Sequence, residues 1–165
     1  MDSKQLFDLE GSHSIVTGAA KGNGRAIADA LHSAGSETIG VDREFAGDSA
    51  EFETMGGDVC ADETIAAVRA RIQQSRPSHL VLVNNAGVTF PCEGKYPLDK
   101  WRQTLDVNLT APFRWIEGLA DLFRDCASGS VINITSLGAE RAFQNNPAYI
   151  ASKGGLKMLT RYYAK

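Results

Sequence analysis

The sequence is poor in cysteine and histidine, which limits the disulfide and metal chemistry open to it. Its 165 residues include 3 Cys and 3 His, which neither cluster nor form a CxxC pair. We therefore predict no disulfide and no metal site. Cys60 and Cys126 are expected to be small buried apolar residues. Cys92, which follows an Asn-Asn-Ala-Gly segment, is left open between that interpretation and a functional one.

Long apolar runs and an excess of one charge are also absent. No stretch is long enough for a membrane span or for the core of a secretion signal. With 17 basic and 20 acidic residues interspersed, the chain offers no basic surface to nucleic acid or lipid. These absences predict a cytoplasmic protein that binds neither. Length and ordinary composition predict a single globular domain over residues 1–165.

Apolar residues alternate between strand-like and helix-like patterns along the chain. Short apolar runs predict five strands, at 12–17, 37–41, 52–55, 80–83 and 131–135. Helical spacing predicts helices from Gly24 to a stop near Gly35, over 62–74, over 98–126 with an interruption near Pro112, and from Pro147 to Lys165. Strands that alternate with amphipathic helices predict an α/β fold built on a doubly wound parallel sheet.

A glycine-rich turn, TGAAKGNG at 17–24, lies between the first predicted strand and the first predicted helix. Backbone amides and the helix dipole at such a place can bind a pyrophosphate, and glycines allow its close approach. Asp42, at the end of the second strand, lies where an acid would accept hydrogen bonds from an adenosine ribose. Taken alone, the turn could simply require a positive φ, and Asp42 could be an ordinary turn residue.

Three further residues are candidates for catalysis. Tyr149 and Lys153 are four residues apart on the last predicted helix, so a phenol and an ammonium project from one face. Ser136 follows the fifth predicted strand, at the end where open α/β sheets bind ligands. Each feature also has a simpler interpretation, as a surface pair for Tyr149 and Lys153 and as a turn cap for Ser136.

The order and spacing of these motifs resemble the short-chain dehydrogenase/reductase family over nearly the whole chain. The matching features are the TGAAKGNG turn, Asp42, Asp58-Val59, Asn84-Asn85-Ala86-Gly87, Asn108, Ser136 and the pair Tyr149 and Lys153. The resemblance implies a Rossmann-type fold with strand order 3-2-1-4-5. Family members usually continue with two more strands, a Pro-Gly segment and a loop over the substrate. We therefore expect this chain to be part of a longer polypeptide.

Carried over by position, the resemblance implies a catalytic tetrad and a dinucleotide site. Tyr149 would be the general acid/base, Lys153 would bind the nicotinamide ribose, Ser136 the substrate oxygen, and Asn108 would support a proton relay. A positive charge beside a phenol favours its phenolate, which suits Lys153 to this place. The residues expected at the dinucleotide are Gly18, Lys21, Asn23, Gly24, Asp42, Arg43, Asp58, Val59, Asn84, Ala86 and Gly87, with Tyr149 and Lys153.

The predicted function is hydride transfer between NAD(P) and a small carbonyl or secondary alcohol. NAD is preferred to NADP because Asp42 would repel a 2′-phosphate, although Lys21 and Arg43 would attract one. The pattern resembles 3-oxoacyl reductases, sugar or polyol dehydrogenases and hydroxysteroid dehydrogenases about equally. It also implies a homodimer or homotetramer built on the helices near 98–126 and 147–165. The alternatives are a catalytically silent dinucleotide sensor and a dimerisation module.

Overall fold

A central parallel sheet organises the computed structural model, which describes residues 8–47 and 50–164. Its five strands in this part of the chain are β1 (Ser12–Thr17), β2 (Glu37–Asp42), β3 (Glu53–Gly56), β4 (His79–Asn84) and β5 (Ser128–Asn133). They lie in the order β3-β2-β1-β4-β5, and all four pairings are parallel. The predicted fold class and strand order are confirmed.

Helices connect the strands and cover both faces of the sheet. They are α1 (Gly22–Ser33), α2 (Asp62–Ser75), α3 (Leu98–Leu105), α4 (Ala111–Asp125) and α5 (Pro147–Tyr163). A π-helical turn, Asp106–Thr110, joins α3 to α4, and a 3-10 turn, Leu137–Ala139, follows β5. This π-helical turn is the interruption that was predicted near Pro112, and it ends two residues before that proline. Pro112 occupies the first turn of α4.

Two helix ends bear on the predictions from sequence. After α1, Gly35 has a φ of 99°, and its N–H donates to the carbonyl of His32, so Gly35 ends this helix as predicted. The last helix was predicted to reach Lys165. In the structure α5 ends at Tyr163, and Lys165 lies outside the described residues.

The buried core forms on both sides of the sheet because neighbouring strand residues point to opposite faces. Ile15 belongs to the larger cluster, which packs against α2 and α4, whereas Val16 belongs to the smaller cluster with Ala28 of α1. The face of α2 predicted to be apolar is buried, with Ile65, Val68 and Ile72 in the larger cluster. None of the helices in the described residues is long and apolar enough to cross a membrane.

Two expectations are corrected by the structure. The strand predicted over 131–135 is Ser128–Asn133, because the first half of β5 is an exposed sheet edge of Ser-Gly-Ser that carries no apolar pattern. Cys60 and Cys126 are only partly buried, and both lie at the margin of the larger core cluster. Cys126 follows directly after α4, and Cys60 lies beyond β3, where the core meets solvent.

Candidate active site

A cleft of about 830 Å³ opens where β1, β2, β3 and β4 end. Parallel strands end at one edge of a sheet, so the segments that follow them meet there. The cleft is lined by most of the residues predicted to bind a dinucleotide, namely Gly18, Lys21, Asn23, Gly24, Asp42, Arg43, Asp58, Val59, Ala86 and Gly87.

The glycine-rich turn requires glycine for two different reasons. Gly18 has a φ of +69°, and a side-chain Cβ there would lie 2.9 Å from the Cα of Ala86. A Cβ on Gly24 would lie 2.0 Å from the carbonyl oxygen of Gly18, so only glycine lets α1 start this close to the turn. No side chain caps α1 in the described structure, which leaves the N–H groups of its first turn to a ligand.

Thr17 and Asn85 join this turn to the segment after β4, a structural role that sequence reasoning missed. Thr17 Oγ1 accepts hydrogen bonds from the backbone N–H of Asn85 at 3.0 Å and of Ala86 at 3.1 Å. Asn85 Nδ2 donates back to the carbonyls of Thr17 and Gly18, at 2.9 and 3.1 Å. The available signal was their position, because both residues lie at the ends of neighbouring strands.

Asp42 is fixed at the cleft by two backbone donors. Its Oδ2 accepts from the N–H of Ala20 at 3.0 Å, and its Oδ1 accepts from the N–H of Arg43 at 2.8 Å. Each carboxylate oxygen keeps a lone pair for another donor. Lys21 and Arg43 are exposed, and with Asp42 they also line an adjoining cleft of about 570 Å³.

Asn84, Tyr149 and Lys153 are the predicted cofactor residues that do not line this cleft. The Asn84 side chain is buried, and its Nδ2 donates to Oδ1 of Asn133 at 2.8 Å. It therefore links β4 to β5. Asn133 Nδ2 continues this chain of contacts by donating to Thr160 Oγ1 of α5 at 3.0 Å.

Asn108 connects the segment after β4 to α5. It is fully buried in the π-helical turn, and its Oδ1 accepts from the N–H of Val88 at 2.8 Å. Its Nδ2 donates to the Val88 carbonyl at 2.9 Å and to Ser152 Oγ at 3.2 Å. Since Ser152 directly precedes Lys153, Asn108 fixes the position of Val88 relative to the predicted catalytic helix.

The side chains of Lys153 and Tyr149 lie near each other on α5, as their spacing predicted. The Lys153 Nζ lies 5.9 Å from the centroid of the Tyr149 ring and donates to the carbonyl of Ile134 at 2.6 Å. A Cβ on Gly87 would lie 3.8 Å from this Nζ and 3.4 Å from Asn108 Oδ1, so the three positions converge. Lys153 is only 4% exposed, and this burial lowers its pKa to about 8.

Ser136 lies beyond the end of β5 and caps the 3-10 turn. Its Oγ accepts from the N–H of Gly138 at 3.0 Å, which agrees with the simpler interpretation of this residue. The cap uses the hydroxyl only as an acceptor. Its O–H therefore remains a donor for a substrate oxygen.

The cleft also has a polar wall that sequence reasoning did not include. Asp99, Arg102, Gln103 and Asp106 line it from α3 and the π-helical turn, at spacings that place them on one helix face. That spacing was the available signal.

Cys60 lines the cleft as well, and burial, followed by the Asp58 and Asp106 carboxylates, raises its pKa to about 11. Its thiol stays protonated at neutral pH and is a poor nucleophile.

This arrangement suits an extended, phosphate-bearing cofactor, and comparison with known proteins identifies the family. A sequence model of the short chain dehydrogenase family matches residues 12–165. The chain is 31% identical to 3-oxoacyl-acyl-carrier-protein reductase FabG from Pseudomonas aeruginosa, over 96% of this chain and 69% of that protein. It is 32% identical to D-threitol dehydrogenase from Mycolicibacterium smegmatis, over 96% of this chain and 65% of that protein.

Solved structures give the same assignment. Aldohexose dehydrogenase from Thermoplasma acidophilum matches with a TM-score of 0.86 and 29% identity, over 94% of this chain and 61% of that chain. RhlG from Pseudomonas aeruginosa, in a complex with NADP, matches with a TM-score of 0.82 and 28% identity, over 96% and 68%. The chain belongs to the short chain dehydrogenase family, whose members are NAD(P)-dependent oxidoreductases, and it spans about two thirds of the length of these relatives.

Proposed function

We propose that the protein transfers a hydride between a nicotinamide dinucleotide and a small carbonyl or secondary-alcohol substrate. The dinucleotide would lie in the 830 Å³ cleft, with its phosphates at the turn from Gly18 to Gly24. The observation that carries the proposal is the placement of Lys153, a buried amine near Gly87 with the Tyr149 ring beside it. An amine and a phenol close to the Gly87 wall of the cleft fit proton transfer to and from an oxygen atom.

In the reducing direction, Tyr149 would donate a proton to the substrate oxygen while the Ser136 hydroxyl donates a hydrogen bond to the same atom. The bound cofactor would supply the hydride. Lys153 would bind the nicotinamide ribose and favour the phenolate that remains on Tyr149, because an ammonium stabilises a nearby anion. Asn108 would keep the segment at Val88 aligned with α5 through its hydrogen bonds to both.

Replacement of the Tyr149 hydroxyl tests this mechanism. Tyr149→Phe removes the proton donor and keeps the ring, so turnover should fall roughly 10²- to 10⁴-fold while the Kd for NAD stays unchanged. Turnover would be measured with a panel of sugars, polyols, 3-oxoacyl thioesters and hydroxysteroids, and binding by calorimetry. Tyr162→Phe, at an exposed position on the same helix, is the matched control. A Tyr149→Phe variant that kept most of kcat would exclude Tyr149 from proton transfer.

We also propose that NAD is the preferred dinucleotide, a choice that family membership leaves open. Asp42 supports it, because two backbone donors fix its carboxylate at the cleft, where it would accept from a ribose hydroxyl and repel a 2′-phosphate. Lys21 and Arg43 would attract that phosphate, but their exposed side chains are free to extend into water. The carboxylate is therefore given the larger weight.

The cofactor preference is tested by removing this carboxylate. Asp42→Ala should raise the affinity for NADP relative to NAD, by roughly tenfold if the lost repulsion amounts to about 1.4 kcal/mol. Asp99→Ala removes a negative charge from another wall of the same cleft and should leave the ratio of the two affinities unchanged. Tighter binding of NADP by the parent protein, or equal ratios in the two variants, would contradict the assignment.

Three broader parts of the proposal concern the whole chain. Residues 1–165 would form one dinucleotide-binding and catalytic domain, acting in the cytoplasm. Two or four copies would assemble through the helices near 98–126 and 147–165, which are α3, α4 and α5. Large exposed apolar side chains on these helices support the assembly, with Phe113 on α4 and Met158 and Tyr162 on α5.

A further inference from the structure

The wall of the cleft after β3 is an irregular segment, Gly57 to Ala61, which depends on individual hydrogen bonds for its shape. At its start, the N–H of Gly57 donates to the carbonyl of Asp42 at 2.8 Å. Within it, the Asp58 carboxylate accepts from the N–H of Cys60 at 2.9 Å, and the Asp58 carbonyl accepts from that of Ala61 at 3.0 Å. These bonds leave the carbonyls of Val59 and Cys60 to find partners elsewhere.

Two consecutive residues of α4 supply those partners. The indole Nε1 of Trp115 donates to the Val59 carbonyl at 3.0 Å, and Trp115 is only 1% exposed. The guanidinium of Arg114 donates through Nη1 to the Cys60 carbonyl and through Nη2 to the Asp62 carboxylate. The buried Val59 carbonyl would have to move or stay unsatisfied without its donor, and the part-buried Cys60 carbonyl would exchange its donor for water, so both losses would loosen the segment.

We propose that Arg114 and Trp115 are positioning residues for the adenosine half of the dinucleotide. Neither residue lines the cleft, so both act through the backbone of Val59 and Cys60. The inference rests on the proposed function, because it assigns the adenosine to the wall that contains Asp58 and Val59. The region from α3 to α4 would then have two roles in cofactor binding, because Asn108 in the connecting turn also fixes Val88 at the neighbouring wall.

The test compares Arg114, which connects α4 to the segment before α2, with Arg69, which connects α2 to α4. Arg114→Met and Trp115→Phe keep most of each side chain's volume and should weaken the binding of ADP-ribose about tenfold. The binding of nicotinamide mononucleotide should not change. Arg69→Met is the matched control, because in the described structure Arg69 bonds to Asp121 and to the Gly118 carbonyl and makes no hydrogen bond to the cleft wall. Its affinity for ADP-ribose should stay within twofold of the parent's.

Equal loss of ADP-ribose affinity in Arg69→Met would show a general effect of stability, and unchanged affinity in Arg114→Met and Trp115→Phe would show no positioning role; either result overturns the proposal. Hydrogen exchange of the Cys60 and Ala61 amides, measured without cofactor, provides a second readout. Exchange should accelerate in Arg114→Met and not in Arg69→Met. If the parent bound no ADP-ribose, the proposed function would fail, while unchanged exchange in Arg114→Met would separately refute the positioning of the wall.

Discussion

Lys153 has an unusual environment for a lysine, because it is almost completely buried. An ammonium that is 4% exposed loses most of its hydration, and in the described structure its Nζ donates to one backbone carbonyl, that of Ile134. The neutral amine is favoured by this burial, which accounts for a pKa of about 8 in place of the usual 10.5. A folded protein rarely keeps such a group without a use, and the proposed ribose contact and phenolate stabilisation would provide one.

The low pKa of Lys153 predicts how the stability of the cofactor-free protein depends on pH. Between pH 8 and 10.5 the unfolded chain binds this proton more tightly than the folded chain, so the contribution of Lys153 to the free energy of unfolding should rise with pH across that window. Relative to Lys153→Met, which lacks the group, the parent should gain about 1 kcal/mol between pH 7 and 9. Urea unfolding of both proteins at several pH values measures this difference. A difference that does not vary with pH would mean that the amine titrates normally.

At the scale of elements, the π-helical turn is the feature with the clearest link to the site. An inserted residue in a helix changes which side chains point toward the core, and such turns are common at functional sites. Here the turn carries Asn108, whose amide reaches both Val88 and Ser152. The turn therefore allows α3 and α4 to connect a loop at the cleft with α5.

For the glycine-rich turn, two substitutions separate the effect of crowding by a side chain from the effect of a positive φ. Gly18→Val would place a side chain against Ala86 at a φ of +69°, so it should weaken NAD binding by at least about tenfold. Gly94→Asn is the control, because Gly94 lies outside this turn and the cleft, has a φ of +77° but open space around it, and asparagine tolerates this conformation. Calorimetry with NAD, on variants whose fold is confirmed by circular dichroism, measures both. Equal binding by Gly18→Val and the parent would place the cofactor elsewhere.

The sequence allowed the elements with strong periodicity to be predicted, and β1 was predicted residue for residue. The start of β5 was missed because Ser128, Gly129 and Ser130 form an exposed edge without an apolar pattern. Cleft-lining residues at strand ends, such as Gly18 after β1 and Asp42 at the end of β2, were predicted to lie at one edge of the sheet because the topology determines where strand ends meet. Contacts such as Trp115 to Val59 could not be predicted, since 56 residues of chain separate donor and acceptor and only the packing of α4 brings them together.

For the whole molecule, strand order determines how distant segments combine into one site. The cleft is formed by the segments after β1, β2, β3 and β4, which lie side by side because all four strands run in the same direction. The proposed catalytic residues come from the π-helical turn, the segment after β5, and α5, beside the end of the same sheet.

Self-association is the prediction that belongs to this scale. Phe113 on α4 and Met158 and Tyr162 on α5 are 45%, 59% and 70% exposed, although the opposite sides of these helices are buried in the core. Covering such side chains releases water from apolar surface, which is the main driving force of association.

Light scattering at micromolar concentration should therefore give two or four times the 17.7 kDa mass of the chain. Phe113→Glu should reduce the mass to that of a monomer, because a charge at a buried interface is costly. Leu137→Glu places the same charge on the 3-10 turn after β5, outside both helical regions, at a side chain that is 58% exposed, and should leave the assembly intact. A parent protein that is monomeric under these conditions, or an equal effect of the two glutamates, would contradict assembly through α4 and α5.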